Sequence, residues 1–347
     1  MKKQLLYEIR RNLLPLVIFT AIGVVLSLLV CMVTELEYVW QDPPRPRNSC
    51  LSLFTVILCI LCVVVPAMQF SYRMKMRSVD LWYSLPVSRR RLALVRTLGG
   101  LLLVLVPFTL SYWMGVAVIA SRGADFDCIW YLPAFFVQFA LGAGLFGVNA
   151  FIFTRANRPG DGVLFLIAWT CILPLFVMLV CPESVWDRNA GALSRGDFLS
   201  CFFTMSPLGW SATLFQDLIF RETVSFAPYG DGFFFLIALG VGVLEAAGGY
   251  TALFLRTERD RAEDADQISS SWMGYRVLVP AYVVLGLNAL GEVFSNSDLP
   301  AAALICVLVL AVGLIGGFAY RRSFRLRWYD LVSLFAAFIV GTGLFFL

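Results

Sequence analysis

The sequence predicts an all-α polytopic membrane protein with about nine membrane-spanning helices, and three observations predict it. Of its 347 residues, 60% are hydrophobic and 14% charged, where an ordinary soluble domain has roughly 45–50% and about 25%. Eight apolar runs approach or exceed the roughly 20 residues that cross about 30 Å of hydrocarbon as a helix. The basic residues gather in alternate loops between these runs. A soluble globule, a disordered chain and a fibrous repeat are excluded by the same composition.

The elements follow in order. Residues 1–11 place Leu5, Leu6 and Ile9 on one side of a helix and Lys2, Lys3, Arg10 and Arg11 elsewhere, the pattern of a short helix lying on the inner membrane surface. A simple basic flank accounts for the same residues. The first span, 12–33, is longer than the 7–15 residues of a signal-peptide core and no small-residue cleavage site follows it. Further runs cover 51–70, 97–120, 129–154, 162–181, 232–255 (interrupted by Glu245), 299–320 and 331–347. A shorter ninth run, 277–291, reaches spanning length only if Arg276 snorkels to the interface. The expected organisation is an interfacial helix at 1–11, a six-helix core at 12–255, a linker at 256–276 and carboxy-terminal membrane helices at 277–347.

Charge placement tests this layout, because cytoplasmic loops carry the arginine and lysine excess. With the amino terminus inside, the inner loops hold 21 of the 27 basic residues against 9 acidic ones, a net charge of +12. The outer loops hold 6 basic against 13 acidic residues, a net −7, and Glu245 alone lies at membrane depth. The expected location is therefore a cell membrane, crossed many times, with the amino terminus in the cytoplasm.

Chemistry within the chain is narrowly bounded. There is no histidine, and the only lysines are Lys2, Lys3 and Lys75, so no Ser-His or Cys-His nucleophile, histidine metal site or histidine haem ligand can be built. Cys59 and Cys62 read as C-x-x-C but fall inside the second span, where packing is the expected role. Cys31 with Cys50, and Cys181 with Cys201, flank external loops that they could close; spacing alone does not decide it. The longest external loop, 182–231, is aromatic-rich and expected to pack on the outer leaflet. Among small residues four apart, Ala143 with Gly147, Ala238 with Gly242 and Ala246, and Gly313 with Gly317 are candidates for close helix contacts.

The loop at 71–96 is the most informative segment. Residues 72–84 are compatible with a helix, which Pro86 ends by disfavouring helical geometry at Leu85 and removing a backbone donor. Ser88 then stands where an N-cap belongs, ahead of a basic turn leading into the third span. Met76, Val79 and Tyr83 form an apolar stripe, with Arg73, Arg77 and Asp80 beside it. A short amphipathic helix of this kind is suited to dock in a groove of a soluble partner. A generic positive-inside anchor is the plainer account of the same loop.

The run Arg77-Ser78-Val79-Asp80 followed by Tyr83-Ser84-Leu85-Pro86-Val87-Ser88-Arg89 resembles the coupling-helix region between the second and third spans of ABC-2-type permeases, the membrane subunits of bacterial ABC exporters. The amphipathic amino terminus and the long external loop between the fifth and sixth spans are similar too. The stretch 256–263 is a weaker likeness to the R-x-S-E-x-A-G wording of that family: Thr257 stands in place of serine, and Ala262-Glu263-Asp264 where Ala-Gly is usual. The resemblance implies that the first six spans form a type V exporter core of a bacterial cytoplasmic membrane. It also implies that Met76, Arg77, Ser78, Val79, Asp80, Tyr83, Ser84, Leu85, Pro86, Arg89 and Arg90 contact an ATPase subunit.

No G-x-x-x-x-G-K-[ST] run exists to hold ATP phosphates. ATP and Mg would therefore belong to a separate cytoplasmic ATPase, and a second permease, identical or different, would complete the path. The chain itself is expected to be no enzyme and to bind no metal, cofactor or nucleic acid, its other partners being membrane lipids. Glu245, costly at the bilayer centre by about 2–3 kcal/mol or more, is expected to line the path or a subunit interface, or else to be protonated and bonded to a group such as Asn149. The competing functions are a secondary transporter, for which internal repeats and several buried charges are lacking, a non-transporting membrane scaffold, and an intramembrane enzyme, for which no span offers an aspartate. An amphipathic cargo, whether lipid, peptide antibiotic or drug-like molecule, fits the external loop.

Overall fold

Helix α2 (Leu13–Val33) shows how this chain solves burial. Its buried residues are Gly23, Ser27 and Cys31, spaced four apart, while Leu14, Val17, Leu29 and Val33 face outward. In water this is the wrong way round. In hydrocarbon, small residues inside permit close helix approach and large apolar ones meet lipid. The computed structural model describes residues 2–34, 36–37, 45–46, 48–84, 86–123, 128–180, 231–258, 262–269, 271–289, 299–321, 323–325 and 327–343. The expected loop 182–231, apart from its last residue, lies outside them, as do Leu85 and the side chains of Cys50, Cys181 and Cys201.

The described chain is almost wholly helical and divides into two units. Unit one, Met1–Thr154 with Phe203–Ala265, contains α1 (Lys2–Arg11), α2, α3 (Asn48–Phe70), α4 (Met76–Tyr83), α5 (Arg89–Ser121), α6 (Cys128–Phe153) and α8 (Asp231–Thr257). A two-residue antiparallel pair, Leu36–Glu37 with Arg45–Pro46, lies between α2 and α3. Unit two, Arg155–Phe202 with Asp266–Leu347, contains α7 (Pro159–Val180), α9 (Tyr275–Ala289), α10 (Leu299–Arg321) and α11 (Trp328–Gly343). The fifth expected span, α7, thus groups by its contacts with the carboxy-terminal helices.

Among the described residues, four helices are long and apolar enough to cross a membrane by length and composition: α2, Leu53–Arg73 including most of α3, α5 and 131–153 of α6. The protein is a membrane-embedded helical protein. At 33 residues α5 is about 50 Å long, so its first turns extend past the hydrocarbon. The seventh expected span is the 15-residue α9, about 22 Å, which is too short to cross unaided.

Within unit one, α5 packs against α2 and α3, and α6 against α3 and α8. Aromatic rings fill the centre: Phe108 stacks on Phe135, and Tyr112 lies between Phe54 and Phe108 and donates its hydroxyl proton to the Tyr131 carbonyl at 2.7 Å. Two buried amides donate to groups on neighbouring helices, which reduces their cost in hydrocarbon. Gln138 Nε2 donates to Thr55 Oγ1 and Asn149 Nδ2 to the Cys62 carbonyl. The Cys62 thiol faces the Gly142 carbonyl at 3.4 Å, a packing role that matches the sequence expectation. The α6–α8 seam is the closest: an atom added at Gly144 would stand 2.6 Å from the Gly242 oxygen, and one at Gly249 2.6 Å from the backbone of Gly147 and Val148.

Within unit two, Val283, Val284, Leu287, Leu334 and Ala337 form the core between α9 and α11. The segment leading into α9 is tied to α7 by Trp169 Nε1, which donates to the Met273 carbonyl at 2.8 Å, and by the Ser269 hydroxyl, which donates to the Arg155 carbonyl at 2.6 Å.

Candidate functional site

The loop at 71–96 has the helix, turn and new helix that the sequence grammar requires, with one displacement. Lys75 takes extended backbone, so the helix starts at Met76 rather than at Tyr72. This break lets both Tyr72 and Met74 turn into the core. Helix α4 ends at Tyr83, three residues before Pro86, and Ser88 caps α5 by accepting a hydrogen bond from the Arg91 amide.

The expected apolar stripe of α4 does not act as one face. Val79 is buried, Tyr83 is half-buried beneath the Arg89 guanidinium, whose carbon lies 4.6 Å from the ring centre, and Met76 is exposed. The outward surface carries Met76, Arg77, Asp80, Leu81 and Ser84, with Pro86 and Arg90 exposed beyond it; Ser78 is half-buried. Arg90 pairs with Glu258, just after α8, and α4 also contacts the 3-10 turn Ala262–Asp264. Both partners of that pair are about half exposed, so it registers position more than it stabilises. The loop and the 256–263 stretch, separate landmarks in the sequence, meet at one end of unit one.

What holds α4 from behind is a polar knot absent from the sequence reading. Glu8 of α1 and Arg96 of α5 are each 3% exposed and pair at 3.3 Å. The same Glu8 oxygen accepts from Arg11 at 2.8 Å and from Asn12 at 3.1 Å. The Arg96 guanidinium lies over the rings of Trp82, at 4.3 Å, and Tyr72, at 4.7 Å. A buried pair needs further hydrogen bonds to offset desolvation; Glu8 has them, whereas Arg96 Nε and Nη2 have no hydrogen-bond partner among the described residues and lie against the rings. A planar, delocalised guanidinium can meet a carboxylate at its edge while lying against aromatic rings, here two rings set edge-to-face to each other, which suits it better than a lysine ammonium. Gly99, one turn beyond Arg96, leaves space for Glu8: an added carbon there would lie 3.0 Å from the Glu8 Cγ.

The knot ties α1, α4 and α5 together through Trp82. In front of it, between α1 and the turn after α4, runs a groove of about 550 Å3 lined by Lys3, Tyr7, Leu81, Trp82, Val87 and Leu92 among others. An outside segment entering there would touch α1 and α4 at once. Leu6 and Tyr7 of α1 face outward while Glu8 faces in, and Leu5 and Ile9, the rest of the expected apolar side, are half-buried.

Glu245 stands apart from this end of the molecule, in the α6–α8 seam beside Gly144. Its Oε2 is buried without a hydrogen-bond partner among the described residues. Asn149, the partner expected from the sequence, spends its amide on the Cys62 carbonyl. Among the described residues no cluster of three or more metal-ligating side chains occurs.

Glu8, Arg96, Trp82 and Tyr72 are the residues that sequence reasoning missed. The available signal was an acid between two basic pairs in the amino-terminal helix, and a fourth arginine one turn beyond Arg89-Arg90-Arg91. Neither says which way its side chain turns. No protein-family model matches the chain, and no curated protein matches it.

Proposed function

We propose that this chain is the membrane-spanning permease subunit of a bacterial ABC transporter that exports an amphipathic molecule, driven by a separately encoded cytoplasmic ATPase. The observation that carries the reading is α4: an eight-residue helix with Met76, Arg77, Asp80 and Leu81 outward and Trp82 locked inward to α1 and α5. A docking element must offer a surface to its partner and pass the partner's movement to the membrane helices. Exposed apolar and charged side chains supply the surface, and the buried Arg96 contact supplies the rigid link to α5. The amino terminus is cytoplasmic on this reading, so that α4 and the +12 face meet the ATPase together.

The test is co-expression and co-purification with an ABC ATPase encoded in the same genome. Asp80→Arg and Leu81→Asp change exposed side chains and leave the knot intact, so the variants should fold and elute as the parent does. Each should lose ATPase binding, or keep binding and lose substrate-stimulated hydrolysis by tenfold or more, on the order of 1.4 kcal/mol of coupling. Full stimulation in both variants would refute the assignment.

Glu245 is assigned to the translocation path or to the interface with a second permease, because a buried, unpartnered carboxyl oxygen between small residues is a costly feature to place in a membrane seam. Glu245→Gln keeps the shape and removes the ionisable proton. It should lower transport severalfold while leaving ATPase binding intact, and unchanged transport and stimulation would remove Glu245 from the mechanism.

A further inference from the structure

Unit two contains an arrangement that the coupling reading does not use. Where α9 and α11 begin, Arg276, Arg325 and Arg327 border a cavity of about 560 Å3 together with Ser323, Tyr329 and Asp330. Behind it, between α7, α9 and α10, lies an apolar groove of about 640 Å3 whose walls include Leu164, Leu278, Tyr282, Leu308, Val312 and Gly316. Tyr275, Val279 and Gly313 line both, so the two adjoin.

The cationic mouth is a built one. Arg327 Nη1 contacts the Tyr329 hydroxyl at 2.6 Å, and the guanidinium carbons of Arg276 and Arg327 lie 6.0 and 5.9 Å from the centre of the same ring. Tyr329 thus holds two arginines near each other, against their mutual repulsion. Hydrogen bonding from Arg327 also draws the Tyr329 phenol below its ordinary range. The acid at the mouth is Asp330, which accepts from the Arg327 backbone amide at 3.1 Å and so serves the start of α11. Asp161 is hydrogen-bonded to Tyr275 in the wall behind, so three arginines stand against two carboxylates and leave an excess of one positive charge over an apolar channel. All three arginine side chains are exposed.

We infer that this is a binding site for one anionic phospholipid, with its phosphate among Arg276, Arg325 and Arg327 and an acyl chain along the groove. Charge complementarity selects the occupant: a neutral lipid or an apolar helix fills the groove equally well but leaves the arginine mouth unanswered. Basic pockets between membrane helices are suited to acidic headgroups, each arginine near the surface adding to the attraction. Gly316 keeps the channel open, since a side chain there would meet nothing within 4 Å and would project into the space. The inference needs only that the protein is membrane-embedded, and it stands or falls independently of the ATPase assignment.

The test is native mass spectrometry of the full-length protein in mild detergent, offered phosphatidylglycerol and phosphatidylcholine at equal concentration. One phosphatidylglycerol per chain should be retained in preference. Arg325→Gln with Arg327→Gln should weaken its binding by about thirtyfold, the loss of two surface charges, with elution unchanged. Gly316→Phe should weaken both lipids, because it blocks the channel and not the mouth. Equal retention of the two lipids by the parent protein, or an undiminished preference in the double variant, overturns the site. Displacement of the lipid by millimolar inorganic phosphate, or a dimer that excludes lipid and is lost in Gly316→Phe, would overturn it as well.

Discussion

Glu8→Ala should be among the most damaging single substitutions in unit one, lowering stability by about 3–5 kcal/mol, the usual result of removing one partner from a buried ion pair. The residue is 3% exposed and a single one of its oxygens serves Arg96, Arg11 and Asn12. Without it, the Arg96 guanidinium remains buried against Trp82 and Tyr72 with no counter-charge. The ring contacts are the same in the parent protein and in the variant, so they offset none of the loss. Glu8→Gln should fall between, because an amide oxygen still accepts hydrogen bonds. Arg96→Lys should also destabilise, since a compact ammonium lacks the planar fork that reaches the Glu8 carboxylate while its body packs against the Trp82 and Tyr72 rings. The measurement is the unfolding midpoint of the purified protein in detergent, at low and at high salt. A buried pair is poorly screened, so the deficit should persist at high salt. A Glu8→Ala midpoint equal to that of the parent protein would mean that the knot does not hold α4.

Much of this architecture is legible in the sequence, and the parts that are not share one cause. Spans are legible because crossing hydrocarbon is a matter of length and polarity, both local. The Pro86 stop and the Ser88 cap are legible because backbone chemistry acts within one turn. The stripe Met76, Val79 and Tyr83 fails as a face because an amphipathicity argument assumes an apolar interior. Here the interior behind α4 is Glu8, Arg96 and two aromatic rings, assembled from segments nearly 90 residues apart. Counting arginines by loop assigned Arg96 to a surface charge excess, and counting says nothing of direction. Helix α2 shows the same limit: its apolar run predicts a span, but the inward stripe of Gly23, Ser27 and Cys31 is set by the close approach of α5 at Ser111 and Gly115. Grouping α7 with the last three helices is likewise a property of contacts such as Trp169 with Met273, invisible to hydropathy.

Neighbouring glycines in α8 should respond to the same substitution with opposite sign. Gly249→Ala would set a carbon 2.6 Å from the carbonyl carbon of Gly147 and the amide nitrogen of Val148. Both are backbone atoms of α6, so no rotamer change relieves the clash and the two helices must part. Overpacking of this kind costs about 1–3 kcal/mol and sometimes more. The upper part of that range is expected here, because the seam carries other contacts that move with it: the Tyr250 hydroxyl bond to the Ala143 carbonyl at 2.7 Å, and the approach of Gly242 to Ala140 and Leu141. At Gly248 an added carbon meets nothing within 4 Å, so alanine there should leave stability unchanged or raise it by up to about 1 kcal/mol through helix propensity. Thermal unfolding of the two variants beside the parent protein reads the difference directly. Equal effects at both positions would show that α6 and α8 are not in backbone contact. A selective loss at Gly249 would establish the backbone contact of α6 with α8, the seam on whose edge Glu245 lies, half-buried, four residues away.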